Sequence, residues 1–268
     1  MAYKLSAMGR LFNWIQTEKM IPKIIHYCWF GGNPLPASAQ KCIASWRKYL
    51  PDYKIKEWNE ENFDVNSIPY TQQAYKAKKY AFVSDYARFW ILYHEGGLYF
   101  DTDVEIVGNL DEIIARGPFM GIELGASLDG KPMVAPGLGL GVEAGHAFYQ
   151  KMLQLYDTQN FINSDGSFNN MTIVTYTTQE LYANGMKPSD DMQEVDGIWI
   201  YPADYFCPMD STTGITTRTK RTVAIHHYDC SWMDHNTVSF RIHQIKNLFF
   251  KLIGQKNAQR MNKLFHRM

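Results

Sequence analysis

The residues best equipped for chemistry lie in Gly96-Gly97-Leu98-Tyr99-Phe100-Asp101-Thr102-Asp103, where an apolar run ends in two carboxylates. Leu98 to Ile106 reads as a strand, and side chains alternate along a strand. Tyr99, Asp101, Asp103 and Glu105 should then share one side, with Leu98, Phe100, Val104 and Ile106 on the buried side. Two carboxylates at i and i+2 can grip one divalent cation, directly or through water. Hard oxygen ligands with open positions suit Mg²⁺ or Mn²⁺ bridging a diphosphate. Such a metal would neutralise charge developing on a diphosphate leaving group. Upstream, Ser84-Asp85-Tyr86-Ala87-Arg88 falls on an expected helix. There the i, i+3 spacing places Asp85 and Arg88 on one face.

A bare Asp-x-Asp has other readings. An exposed polar strand end is the plainest. An EF-hand loop matches at Asp101, Asp103, Glu105 and Glu112, but Ile106 stands where the sharp turn needs glycine and a strand precedes the loop. That reading fails. An aspartyl phosphotransferase or phosphatase also ends an apolar strand in Asp-x-Asp, and it needs a later lysine and acidic pair. Lys187 with Asp190 and Asp191 imitates these poorly. A non-catalytic glycan-binding module remains a third alternative.

The elements that must position these residues alternate between strand and helix. Lys23 to Trp29 is β-rich and runs into the loop Phe30-Gly31-Gly32-Asn33-Pro34. Ala37 to Leu50 has helical spacing through Ile43, Trp46 and Tyr49, and Tyr53 to Trp58 alternates like a strand. Lys78 to Glu95 is a second helix, stopped by Gly96-Gly97. Further on, Pro118 to Gly121 reads as a strand. Gly130 to Gly145, with five glycines and two prolines, reads as a loop crossing a face. Residues 146–160 and 171–184 look helical, Ile198 to Tyr201 and Val223 to Tyr228 look like strands, and Thr212 to Thr222 reads as surface. The pattern is that of an α/β nucleotide-binding layer. Without an internal repeat or a linker, one main domain is expected.

Composition narrows the class. The chain has 268 residues, 46% hydrophobic and 20% charged, enough for a full core and unlike a disordered or fibrous sequence. No apolar run approaches the ~20 residues of a membrane span, and no signal peptide is legible. Cys28, Cys42, Cys207 and Cys230 form no paired spacing and read as reduced thiols of a cytoplasmic protein. The formal net charge of zero hides an asymmetry: after Asp234 come seven basic residues and no acidic one. The body is therefore mildly acidic, which argues against a nucleic-acid-binding core. In the tail, Ile242, Ile245, Phe249, Leu252 and Ile253 recur at helical spacing between the basic residues. This suits a peripheral helix, over 240–268, on an anionic membrane surface such as the inner face of the membrane. A helix packed on the body is the equal alternative. The division expected is an extension at 1–19, a catalytic domain at 20–235 and a basic tail at 236–268.

Three ordered segments together resemble glycosyltransferase family 32. They are Ile21-Pro22-Lys23-Ile24-Ile25-His26-Tyr27-Cys28-Trp29-Phe30-Gly31-Gly32, the Ser84-Asp85-x-x-Arg88 helix and Gly96-Gly97-x-Tyr99-x-Asp101-x-Asp103. The family includes Golgi mannosyltransferases and bacterial capsule-synthesis enzymes, and the glucosyltransferase domain of large clostridial toxins is a distant relative. The resemblance covers roughly residues 20–110, with a weaker echo near 223–234. It implies a GT-A fold, a Rossmann-like mixed sheet flanked by helices, and retaining transfer of a hexose. The implied donor is a nucleotide sugar, UDP-hexose above others, and the implied acceptor a glycan or lipid-linked oligosaccharide of a capsular polysaccharide. It assigns Trp29 to stacking on the base, Asp85 and Arg88 to the donor sugar, and Tyr99 to the phosphate or ribose. Asp101 and Asp103 go to Mn²⁺ or Mg²⁺. In His226-His227-Tyr228-Asp229-Cys230-Ser231-Trp232, one histidine at most should face the site as a further ligand, because neighbours on a strand point apart. Ser231 and Trp232 are implied as a lid over the diphosphate.

Overall fold

A computed structural model describes residues 20–211 and 213–229 of the chain. The extension at 1–19, Cys230, Ser231, Trp232 and the basic tail lie outside the described residues. The elements are β1 (Ile24–Cys28), α1 (Ala37–Tyr49), β2 (Lys54–Trp58), α2 (Pro69–Lys76), α3 (Tyr80–Glu95), β3 (Gly97–Tyr99) and β4 (Val104–Ile106). They continue with α4 (Asp111–Arg116), β5 (Phe119–Leu128), β6 (Lys131–Val134), β7 (Leu140–Val142), α5 (Ala147–Asp157) and α6 (Ile173–Ala183). Last come β8 (Gln193–Val195), β9 (Ile198–Tyr201), α7 (Ala203–Phe206) and β10 (Ala224–His226).

Eight strands form one mixed sheet in the order β2-β1-β3-β7-β5-β9-β8, with β6 paired to β5. β1 runs parallel to β2 and β3, β7 is antiparallel to both its neighbours, and β5 runs parallel to β9. Five strands therefore point one way, which is the α/β architecture expected. Alternate residues of the central strands feed two cores. Cys28, Tyr99, Met120 and Ile200 pack with α3, α5 and α6, while Tyr27, Leu98, Phe119 and Tyr201 pack with Trp46 of α1 and Phe206 of α7. α1 buries Cys42, Ile43 and Trp46 and leaves its lysines outward, which is the amphipathic period read from the sequence. α3 is buried nearly all round, so Asp85 and Arg88 in its middle sit inside.

The route from α3 into β3 is tight. Gly97 has φ +103, and a Cβ there would lie 2.7 Å from the Ile24 carbonyl oxygen, so only glycine fits. His26 of β1 locks this corner. Its Nε2 bonds the Gly96 carbonyl at 2.9 Å, and Trp58 Nε1 donates to its Nδ1 at 3.0 Å.

Two expectations need correction. The single strand Leu98–Ile106 is two strands: β3 ends at Tyr99, and β4 belongs to a separate ladder with β10. Between them Val104 N–H donates to the Asp101 carbonyl at 3.0 Å, closing a turn that Asp-Thr-Asp, poor in β-formers, favours. The glycine-rich loop at 130–145 holds β6 and β7. Gly141 pairs with Leu98 and Phe119 as a strand residue, and it must be glycine because the Phe119 ring occupies the space a Cβ would need. The Thr-rich stretch lies on the surface over 216–221, as expected, while Thr213 and Thr222 near its ends are buried, and Thr222 Oγ1 donates to the Asp204 carbonyl at 2.8 Å. α2, begun by Pro69, had not been expected. Among the described residues, no helix is long and apolar enough to cross a membrane.

Candidate active site

The turn after β3 points both carboxylates of Asp101-x-Asp103 toward one cavity of ≈ 540 Å³, whose wall also holds Trp29, Arg88, His226 and Tyr228. The site is built from the C-terminal end of β1, the cavity face of α3, the Asp turn and β10. Outside the carboxyl ends of parallel strands is where open α/β sheets place their ligands.

Arg88 is the pivot. Its Nη2 donates to Asp85 Oδ1 at 2.9 Å and its Nη1 to Asp101 Oδ2 at 3.3 Å, while its guanidinium lies 5.0 Å from the centre of the Tyr99 ring. The pair with Asp85 is buried, with side-chain exposures of 5% and 12%, which excludes a solvated surface pair. Breaking a buried pair by removing one partner costs about 3–5 kcal/mol. Burial pushes the Asp85 carboxyl up to about 6, against the opposing pull of Arg88. Burial likewise raises Asp101, again opposed by Arg88. Tyr99 is buried behind this group and donates its hydroxyl to Asp101 Oδ1 at 3.1 Å. Neither Tyr99 nor Asp85 lines the cavity; Arg88 and Asp101 stand in front of them.

Asp103 is held from the far end of the chain. His226 Nε2 lies 3.2 Å from its Oδ1, Asp229 N–H donates to its Oδ2 at 3.1 Å, and His227 N–H donates to its carbonyl at 3.0 Å. Burial works against the Asp103 charge, yet His226 and these bonds hold the carboxyl below its usual range. Burial also opposes charge on His226, and Asp103 overrides it, pushing the imidazole up to about 9. The two histidines part as expected. His226 faces the Asp pair, whereas His227 Nε2 meets Glu105 Oε2 at 2.9 Å, away from it.

Asp101, Asp103 and His226 each offer one ligand atom, all within 4.8 Å of one another. Two carboxylates and an imidazole suit a divalent cation such as Mn²⁺. The buried His226 Nδ1 has no hydrogen-bond partner among the described residues, and Nε2 is the ring atom that faces the carboxylates. The residues present therefore fit a divalent metal.

Trp29 sits half-buried on the cavity wall, held by its Nε1 donating to the Asn33 carbonyl at 2.6 Å. Ser231 and Trp232 lie outside the described residues. Two participants escaped the sequence reading. Gly137 accepts the Asp101 N–H at 3.1 Å and lies so near that carboxylate that a Cβ would collide with Asp101 Oδ2. The glycine-rich run was the available signal, read only as a loop. Tyr228, at φ +54, bridges the Cys207 thiol and Glu123 Oε1, each at 3.0 Å. No spacing in the sequence connects those three.

Residues 36–120 match the family model described as the glycosyltransferase sugar-binding region containing DXD motif. An uncharacterised glycosyltransferase of Acanthamoeba polyphaga mimivirus is 26% identical over 72% of this chain and 79% of its own length. Inositol phosphoceramide mannosyltransferase 1 of Schizosaccharomyces pombe is 28% identical over 39% of this chain, which spans about a third (34%) of that protein. Among solved structures, the PaToxG glycosyltransferase superposes with a TM-score of 0.49 at 21% identity, over 64% of this chain and 72% of its own. The segment carrying the Asp101-x-Asp103 motif thus matches a glycosyltransferase sugar-binding region, and over most of its length the chain is similar to a glycosyltransferase.

Proposed function

We propose that the chain is a metal-dependent, retaining glycosyltransferase of the GT-A type. It moves a hexose from a nucleotide sugar, UDP-hexose above others, to a glycan acceptor carried on a lipid, as in capsular polysaccharide synthesis. The observation that carries this reading is the convergence of Asp101, Asp103 and His226 on the wall of a cavity that also holds Trp29. In this reading residues 20–235 are the catalytic domain and 236–268 an address for an anionic membrane.

Asp101, Asp103 and His226 would hold Mn²⁺ or Mg²⁺, which when bound supplies positive charge for the leaving diphosphate. The other residues act from their own positions. Trp29 offers a ring face for the base. Arg88, fixed between Asp85 and Asp101, keeps the Asp101 carboxylate aimed at the cavity and turns no free charge of its own to solvent. Arg88 lines the cavity on the side of the donor sugar, and Asp85 behind it acts through Arg88. Tyr99 holds Asp101 from behind, and orientation of this kind is worth about 100-fold in rate when lost through a ~1 Å displacement. Front-face attack, with the leaving phosphate taking the acceptor proton, and displacement through a group below the anomeric carbon are both compatible with retention.

A panel of nucleotide sugars tested with Mn²⁺ for donor hydrolysis checks the reading. Hydrolysis of at least one, abolished in a folded Asp103→Asn protein at low Mn²⁺, is the expected result. Normal turnover in that variant removes Asp103 from the metal site.

A further inference from the structure

The Trp29 ring takes its direction from a loop rather than from its own strand. The backbone of Trp29 continues β1, where its N–H donates to the Trp58 carbonyl at 2.8 Å. The ring is fixed elsewhere, by the indole Nε1 donating to the Asn33 carbonyl at 2.6 Å. Between the two residues lie Gly31 and Gly32, at φ +97 and +67. Glycine is the freest residue of a chain, so such a turn keeps its carbonyls in place only if something outside pins it.

Two side chains from other segments supply the pins. Gly31 N–H donates to Glu60 Oε1 at 2.6 Å, a bond strengthened by the carboxylate charge. The Tyr80 ring of α3 packs so closely on Gly31 that a Cβ there would collide with it. Glu60 is itself held by the turn after β2, which its own asparagines staple. Asn59 N–H donates to Asn62 Oδ1 and Glu61 N–H to Asn59 Oδ1, both at 2.9 Å. At the end of that turn Phe63 packs edge-on against Phe30, with ring centres 5.7 Å apart. Tyr75 of α2 faces the same carboxylate, and a hydrogen bond to Glu60 pushes the Tyr75 hydroxyl above its usual range. The Tyr75 and Tyr80 rings then lie 5.4 Å apart, joining the two pins. Glu60 itself is exposed and does not line the cavity.

We propose that Glu60 is a positioning residue for the nucleotide: by holding Gly31 it fixes the Asn33 carbonyl, and through that carbonyl the Trp29 ring, in the attitude that receives the base. The inference rests on the glycosyltransferase reading above. It adds a determinant of donor affinity from the turn after β2, outside the segments that carry the Asp85, Arg88 and Asp101-x-Asp103 residues. Without Glu60 the ring must be ordered each time a base arrives, and that cost falls on binding. The base is held alike before and during transfer, so losing Glu60 raises the donor KM and leaves kcat.

The test uses the full chain with Mn²⁺ and two readouts. The first needs no ligand: the indole N–H resonance of Trp29, identified by its loss in Trp29→Phe, is followed for exchange with water. Glu60→Ala is expected to exchange at least about tenfold faster. Glu60→Gln, which keeps an acceptor for Gly31, should stay near wild type. Should the alanine variant melt early, Glu60→Asp, one methylene short of Gly31, replaces it. The second readout is calorimetric titration with UDP. Glu60→Ala should weaken UDP by about tenfold in the wild-type background and by less than about twofold in Trp29→Ala, because residues that act through one another are not additive. Mn²⁺ affinity should not change. An unaltered indole signal in the alanine variant overturns the proposal. An equal loss of UDP affinity in both backgrounds also overturns it, since Glu60 would then act on the nucleotide without Trp29. If no nucleotide binds the wild-type protein, the donor reading fails on its own, and the indole signal still decides whether Glu60 sets Trp29.

Discussion

Gly137→Ala is the sharpest perturbation of the site, because it adds one methyl group and replaces no side chain of the constellation. The new Cβ would lie 3.0 Å from Asp101 Cγ and 3.3 Å from Arg88 Nη1, and inside contact distance of Asp101 Oδ2. Carbon–oxygen contact needs about 3.2–3.5 Å, so the carboxylate must swing by ~1 Å or the Gly137 backbone must retreat. Retreat strains the Asp101 N–H bond to the Gly137 carbonyl, now 3.1 Å. Swinging stretches the ion pair with Arg88, now 3.3 Å, and moves Asp101 out of its cluster with Asp103 and His226. Overpacking of this kind costs about 1–3 kcal/mol. For a domain of this size that is a fall in Tm of roughly 2–12 °C. The functional loss should be larger, about 100-fold in donor turnover, since it follows position rather than stability. Thermal melting, Mn²⁺ titration followed by electron paramagnetic resonance, and donor hydrolysis are read on one preparation. Wild-type Mn²⁺ affinity with wild-type turnover in the folded variant would refute the claim that Gly137 sets the aspartate.

Three further outcomes are expected. His26 is fully buried with both ring nitrogens bonded in one neutral tautomer, and burial lowers its pKa from 6.5 to about 4. The unfolded chain therefore takes up this proton first. The stability it represents, up to about 3 kcal/mol, is whole above pH 6.5 and is lost as pH falls toward 4. A resonance assigned to the His26 imidazole and titrating near 6.5 in the folded protein would contradict it. Trp29→Ala should weaken UDP binding by about 1–3 kcal/mol, as loss of base–aromatic stacking does; unchanged affinity by calorimetry, with the fold intact, makes Trp29 a structural residue. Removing residues 240–268 should abolish flotation with anionic liposomes while donor hydrolysis persists, and salt should release the intact protein only in part. A truncated protein that unfolds shows instead that the tail packs on the body.

Much of this site was legible because its parts are local. Asp85 and Arg88 are one helical turn apart, so helix periodicity alone puts them on one face, and the apolar residues around them show that the face is buried. The pairing of Trp29 with a strand end follows from the apolar run and the glycines after it. Which histidine turns inward was left open by strand alternation, which says only that the two part.

What local pattern determined, then, was the α/β class, the helix bearing Asp85 and Arg88, and the carboxylate pair itself. Tertiary structure decided the rest. Asp101 and Asp103 converge through a turn and not along a strand, because Asp101 is tied to Gly137 and Asp103 to the 226–229 segment, contacts of long sequence separation. Gly141 is a strand residue because β3 and β5 pair with it on either side, and the Phe119 ring there admits only glycine, which no neighbour in sequence announces. The third side chain of the cluster, His226, reaches the site because β10 pairs with β4. Period and propensity act over a few residues; closing loops of more than a hundred residues depends on what each segment finds to pack against, and that is a property of the folded chain.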